Sequence, residues 1–222
     1  MSILPSFPAP NFQSLEHALE TLRGVSTAFQ VDVVAAEFAG TASWPETEPH
    51  PLAELLQLEQ WTDVYQLEVD LMVSHPAKYF APVAKLGSKR VVAHVTQKSD
   101  VGALVNEAKM CQLELSFALT AEIPFELVVP FIKSGEVTSV QLMGIAQVGK
   151  QGQPFDERVL PRIRELRTLY PELGITIDGA VNEETLPLLF AAGADRFAPG
   201  SAVVKATDPV AAYKHLQRLL AE

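Results

Sequence analysis

Short apolar runs recur along the chain, each followed by a stretch of helix length with its own apolar face. Residues 2–8, with Pro5 and Pro8, predict a first extended segment. Asn11 caps a helix through Leu22, with Leu15, Leu19 and Leu22 on one face. Phe29 to Val34 predicts a strand. Its period of two places Gln30 and Asp32 on one side and Val31 and Val33 on the other. Ala39 to Pro51 reads as irregular and Leu52 to Gln60 as a short helix. Val64 to Val73 predicts the next strand, with Asp70 and Met72 sharing one side. The alternation continues with a helix from Pro76 to about Leu86, a strand Arg90 to Val95 and a helix Val101 to Cys111. A strand Leu113 to Leu119, a helix Pro124 to Ile132 and a strand Ser139 to Ile145 follow. A Gly- and Gln-containing loop, Ala146 to Gln153, leads into a helix from Phe155 to Leu169. Strand Ile175 to Ile177, helix Asn182 to Ala192 with Gly193 behind it, and strand Arg196 to Ala198 form a parallel βαβ unit. Asp208-Pro209 opens the last helix.

Eight strands, each followed by a helical segment, predict an α/β protein built as a single (β/α)8 TIM barrel over residues 1–222, with no compositional break. Chemistry in such a barrel sits at the carboxyl ends of the strands, where Asp32, Asp70 and Asp178 all fall. The net charge of −10 argues against nucleic acid and against an anionic membrane as partners. It does not exclude a small phosphorylated ligand held by a local set of N–H groups. No apolar run is long enough to cross a bilayer, and a lone Cys111 permits no internal disulfide, so a cytoplasmic location is expected. Oligomeric state is left open, a homo-oligomer included.

Individual residues sharpen this picture. Asp178-Gly179 and Gly200-Ser201 end two neighbouring strands, which sets a carboxylate beside backbone N–H groups that no Cβ shields. Asp32 lies inside an otherwise apolar strand, where an unpaired carboxylate is costly. His94 ends the fourth strand and reads first as a satisfied strand-end histidine, while His17, His50, His75 and His215 read as surface residues. Cys111 is expected to be buried and inert. Trp44-Pro45 either caps the pocket or makes a dimer contact. Gly149 and Gly152 suit a mobile lid after the sixth strand.

The order of motifs resembles ribulose-phosphate 3-epimerase over nearly the whole chain. Pro5-Ser6-Phe7 stands where that family has Pro-Ser-Ile, Gln30-Val31-Asp32-Val33-Val34 where it has His-x-Asp-Val-Met, and Val69-Asp70-Leu71-Met72-Val73 where it has Val-His-Leu-Met-Val. Leu142-Met143-Gly144-Ile145 through Gly152-Gln153-Pro154-Phe155 is similar to Met-Ser-Val-Asn-Pro-Gly-Phe-Gly-Gly-Gln-x-Phe with one extra residue. Ile177-Asp178-Gly179-Ala180 and Gly200-Ser201-Ala202 resemble Val-Asp-Gly-Gly and Gly-Ser-Ala. The resemblance implies epimerisation at carbon 3 of a pentulose 5-phosphate through an enediolate, with Asp32 and Asp178 as the acid/base pair. It also implies a substrate- and phosphate-binding pocket of Ser6, Met72, Met143, Gly149, Gly152 and Gln153, with the phosphate on the N–H groups of Gly179, Ala180, Gly200 and Ser201.

Both histidines that hold a divalent metal in the family are replaced here, by Gln30 and Asp70. One reading keeps the metal on Gln30, Asp32, Asp70 and Asp178, an all-oxygen set that suits Mg²⁺ or Mn²⁺ over Zn²⁺ or Fe²⁺. In the other no metal binds, and the crowded aspartates hold a proton at neutral pH. The first is preferred, because Gln30 and Asp70 both retain donor oxygens. The rivals to an epimerase are a non-catalytic sugar-phosphate binder and a lyase or isomerase of different chemistry on the same scaffold. The Asp-x-Lys-x-x-Asp run of related hexulose-phosphate synthases is missing, since no lysine follows Asp70.

Overall fold

The computed structural model describes residues 1–221. Strands β1 (Ser2–Ile3), β2 (Ser6–Phe7), β3 (Ala28–Val34), β4 (Gln66–Met72) and β5 (Arg90–His94) are followed by β6 (Glu114–Leu119), β7 (Ser139–Met143), β8 (Gly174–Asp178) and β9 (Arg196–Ala198). All pairings are parallel, in the order β1-β9-β8-β7-β6-β5-β4-β3-β2. The two ends of that order are consecutive pieces of one segment. Leu4 N–H donates to Phe197 O on one side, and Gln30 N–H donates to Pro5 O on the other. The sheet therefore closes into a barrel, and the first predicted strand is split because Pro5 has no N–H to donate.

Helices α1 (Phe12–Leu22), α2 (Ala36–Ala39), α3 (Pro51–Glu54), α4 (Ala77–Lys85), α5 (Val101–Met110), α6 (Val129–Lys133), α7 (Val159–Leu169), α8 (Leu186–Ala192), α9 (Ser201–Val204) and α10 (Pro209–Leu219) connect the strands. Asn11 and Asp208 cap α1 and α10 as the sequence predicts, their side chains accepting from Ser14 N–H and Ala211 N–H at 2.9 Å. Several helices are shorter than periodicity suggests. Residues 155–158 stay outside α7, where Asp156 Oδ1 accepts Arg158 N–H and Asp156 N–H donates to Gly144 O. Asn182 to Thr185 form a turn before α8, held by the Asn182 side chain. Leu55–Trp61 and Phe125–Leu127 are 3-10 turns.

Side chains on the outer face of the strands, such as Val31, Val33, Val69 and Leu71, pack against Leu15, Leu19, Phe80 and other helix residues to make the main core. The barrel interior differs. A small apolar cluster of Val92, Ala118, Met143 and Ile145 shares it with buried Gln30, Asp32, Glu68, Asp70, His94, Gln141 and Asp178. Near the amino-terminal ends of the strands, Arg196 Nη1 donates to Glu68 Oε2 at 2.9 Å, with Arg90 3.8 Å away. Glu68→Ala leaves the half-buried Arg196 with only a 3.4 Å contact to Thr176 Oγ1 and is expected to cost about 2 kcal/mol, read as a lower denaturation midpoint. An unchanged midpoint would show that solvent replaces the carboxylate freely.

Trp44 is 1% exposed and packs on Phe12 with ring centroids 5.1 Å apart, so it neither caps a pocket nor is free for a dimer contact. Cys111 is half-buried rather than buried, with burial and Glu107 pushing its thiol pKa up. Among the described residues no helix is long and apolar enough to cross a membrane.

Candidate active site

Period two along β3 turns Gln30 and Asp32 inward while Val31 and Val33 face the helices, and the same alternation on β4 turns in Asp70 and Met72. Asp178 is the last residue of β8, where pairing with Met143 and Ala198 ends. These strand ends open into a cavity of about 520 Å³ at the carboxyl-terminal face. Asp32 and Asp178 both line it, with Ser6, Met72 and Met143. The lid residues Gly149, Gly152 and Gln153 and the cradle residues Gly179, Ala180, Gly200 and Ser201 complete its wall.

Gln30 and Asp70 are placed differently from the expectation. Both are fully buried and lie off the cavity wall, among side chains of the barrel interior. Gln30 Nε2 donates to Asp32 Oδ1 at 2.9 Å and to Asp70 Oδ2 at 3.4 Å. Gln141 Nε2 donates to Asp70 Oδ2 at 2.8 Å. His94 Nε2 stands 3.1 Å from Asp70 Oδ1. Amide nitrogens, not oxygens, thus face the carboxylates. Among the described residues no group of three or more His, Cys, Asp or Glu is arranged to hold a metal ion, the three aspartates of the expected Mg²⁺ or Mn²⁺ set of Gln30, Asp32, Asp70 and Asp178 included. The residues as placed do not fit the resident metal that the resemblance implies.

Burial holds the Asp32 carboxyl well above its ordinary pKa, and the charges of Asp178 and Asp70 add to the rise. Asp178 is pushed up to about 7, first by burial and then by Asp70, against the pull of His94, Gly179 N–H and Ser6. Ser6 Oγ donates to Asp178 Oδ1 at 3.3 Å. Two carboxyl groups on different strands of the ring, both with raised proton affinity, face one cavity. That pairing can accept a proton on one wall and deliver one from another.

Gly179 and Ala180 both have positive φ, +87° and +54°, so the chain turns sharply at the strand end. A Cβ on Gly179 would lie 2.6 Å from the Ile145 side chain. Ala180 tolerates the left-handed backbone, and Thr185 Oγ1 donates to its carbonyl. The loop after β7 forms part of the cavity wall, with Gly149 packed against Val34 and Ala39. Gly149 has φ +79°, and a Cβ there would lie 2.5 Å from Ala39 Cβ and 2.9 Å from Val34 Cγ1. Gly149→Ala should therefore unseat the lid and weaken ligand binding at least about tenfold while leaving the unfolding midpoint nearly unchanged. Equal affinity in titration calorimetry would show that the lid position is immaterial.

Sequence reasoning left out Gln141, although alternation puts it on the same side of β7 as Met143. The reading of His94 as a satisfied strand-end histidine agrees with the structure, where it is buried at the end of β5 with Asp70 as its partner.

The chain matches the model of the Ribulose-phosphate 3 epimerase family over residues 2–204. It is 27% identical to ribulose-phosphate 3-epimerase of Schizosaccharomyces pombe, over 93% of this chain and 88% of that protein. It is also 27% identical to the Bacillus subtilis ribulose-phosphate 3-epimerase, over 94% of each. Among solved structures, KGPDC from Streptococcus mutans in complex with D-R5P is similar with a TM-score of 0.76, covering 99% of this chain and 96% of that one. At 11% identity that likeness shows the barrel fold alone.

Proposed function

The chain belongs to the ribulose-phosphate 3-epimerase family, and from that premise we propose that it binds a pentulose 5-phosphate and inverts carbon 3 by proton transfer between Asp32 and Asp178. The observation that carries this reading is the shared cavity, with both carboxyl groups on its wall and both pKa values raised. One carboxylate takes the hydrogen from carbon 3 as a proton, leaving an enediolate. The other, already carrying a proton, returns one to the opposite face of the carbon. The first then holds the proton it removed, and the roles are exchanged for the reverse reaction. Raised pKa values serve this cycle, because a site with two ionised aspartates would repel the developing oxyanion. Met72 and Met143 give the sugar an apolar wall, and Ser6 orients Asp178. The N–H groups about Gly179, Ala180, Gly200 and Ser201 take the phosphate.

The test is product analysis. Incubation with D-ribulose 5-phosphate should yield D-xylulose 5-phosphate. Binding without product would instead support a sugar-phosphate binder, and a cleaved or decarboxylated product would support other chemistry on the same barrel.

A second reading restores a cation. Gln30 Oε1 and Asp70 Oδ1 are buried oxygens without an aligned hydrogen bond, and turning over the Gln30 amide would bring its oxygen to Asp32. Stoichiometric Mg²⁺ or Mn²⁺ in protein purified without chelator would favour this arrangement; a cation-free protein that turns over substrate would remove it. A cytoplasmic location, with a phosphorylated sugar as partner, suits either reading.

A further inference from the structure

We propose that the lid carries its own anion clamp, Lys150 and Gln151, which grips the phosphate of the ligand from across the Gly179–Gly200 cradle and makes the site selective for phosphorylated ligands. The inference rests on the sugar-phosphate reading above. Its first observation is a buried donor without an acceptor. Gln151 Nε2 is shielded from solvent and makes no hydrogen bond. A buried N–H group in that state is unfavourable until an oxygen arrives.

The second observation is where that nitrogen points. It lies 2.9 Å from the position that a Cβ on Gly200 would occupy, with Ser6 Oγ 3.4 Å from the same position. The missing side chain of Gly200 makes room for the Gln151 amide against the cradle. The lid is held there by its other end, where Gly149 packs onto Val34 and Ala39. An anion on the N–H groups of Gly200 and Ser201 would thus meet the amide of Gln151 on its outer side.

The third observation is charge. Asp32, Asp178 and Glu184 line the cavity, and among the described residues Lys150 is the one on its wall with a positive side chain. A dianion entering this cavity of a chain with net charge −10 meets acidic side chains, with Lys150 as the attracting group on the wall. Lys150 supplies attraction and Gln151 supplies direction, so the two substitute for a fixed arginine in a cavity that has none.

The probes are D-ribulose 5-phosphate, unphosphorylated D-ribulose and inorganic phosphate, titrated into the wild type, Gln151→Ala and Lys150→Met. Gln151→Ala is expected to weaken ribulose 5-phosphate and phosphate by tenfold or more, the loss of one hydrogen bond to a charged group, roughly 10- to 100-fold. Ribulose binding should be unchanged. Lys150→Met should weaken the two phosphorylated probes in the same direction and flatten their dependence on salt. Unchanged phosphate binding in both variants, or equal losses for ribulose and ribulose 5-phosphate, would overturn the clamp. A wild type that takes phosphate but not ribulose 5-phosphate, with phosphate lost in Gln151→Ala, keeps the clamp and sinks the pentulose reading. A wild type that takes neither sinks both.

Discussion

Asp178→Asn is expected to lower the rate of carbon 3 inversion by a factor of about 10²–10⁴, the range for removing a positioned acid/base group. The substitution keeps the shape of the side chain, and its Oδ1 can still accept from Ser6 Oγ. The amide cannot hold or release a proton, so the loss should fall on kcat, with ribulose 5-phosphate binding kept within a few-fold. Asp32→Asn should behave alike, because in the proposed cycle each carboxyl serves one face of the carbon. Circular dichroism and a denaturation curve separate this from misfolding. The amide in fact removes a buried charge, so stability at pH 8 should rise. A variant that keeps near-wild-type turnover would remove Asp178 from the chemistry.

The second large effect is on stability against pH. Asp178 is held at about 7 in the fold against an ordinary value of 3.8. The folded chain therefore keeps a proton that the unfolded chain releases. The stability tied to that proton is fully present below about pH 4 and is lost as pH rises through 7. Between pH 5 and pH 8 this one group should lower the free energy of unfolding by about 2–3 kcal/mol. Asp32, raised by burial and by its acidic neighbours Asp178, Asp70 and Glu68, changes stability in the same direction. Urea titrations in the presence of chelator measure the slope, and Asp178→Asn should flatten it. A stability that rises from pH 5 to pH 8 would contradict the protonated pair.

Much of the barrel was legible because strand and helix periods alternate so regularly, and because both faces of each strand are buried. Val31 and Val33 against Gln30 and Asp32 already separate the helix side from the lumen. What alternation does not encode is which hydrogen-bond partner a polar lumen residue finds. The motif positions suggest Gln30 and Asp70 as cavity ligands, yet their side chains contact one another, Gln141 and His94 beneath the cavity wall. Those contacts join residues far apart in sequence, so no local pattern announces them. Helix starts were overextended at Phe155 and Asn182, where side-chain hydrogen bonds from Asp156 and Asn182 hold turns instead. The lid shows the same limit. The motif it resembles is glycine-rich, which directs attention to Gly149 and Gly152 as backbone elements. The side chains between them, Lys150 and Gln151, are visible as functional candidates only once the lid is folded across the mouth.

Deuterium incorporation bears most directly on the pairing of Asp32 with Asp178. The wild-type protein is incubated with D-ribulose 5-phosphate in deuterium oxide, and carbon 3 is followed by proton NMR. Exchange through two carboxyl groups in contact with solvent protons predicts deuterium at carbon 3 of the xylulose 5-phosphate formed and, with time, of the recovered ribulose 5-phosphate. Bound substrate that retains its carbon 3 hydrogen throughout, or inversion without any solvent label, would contradict it.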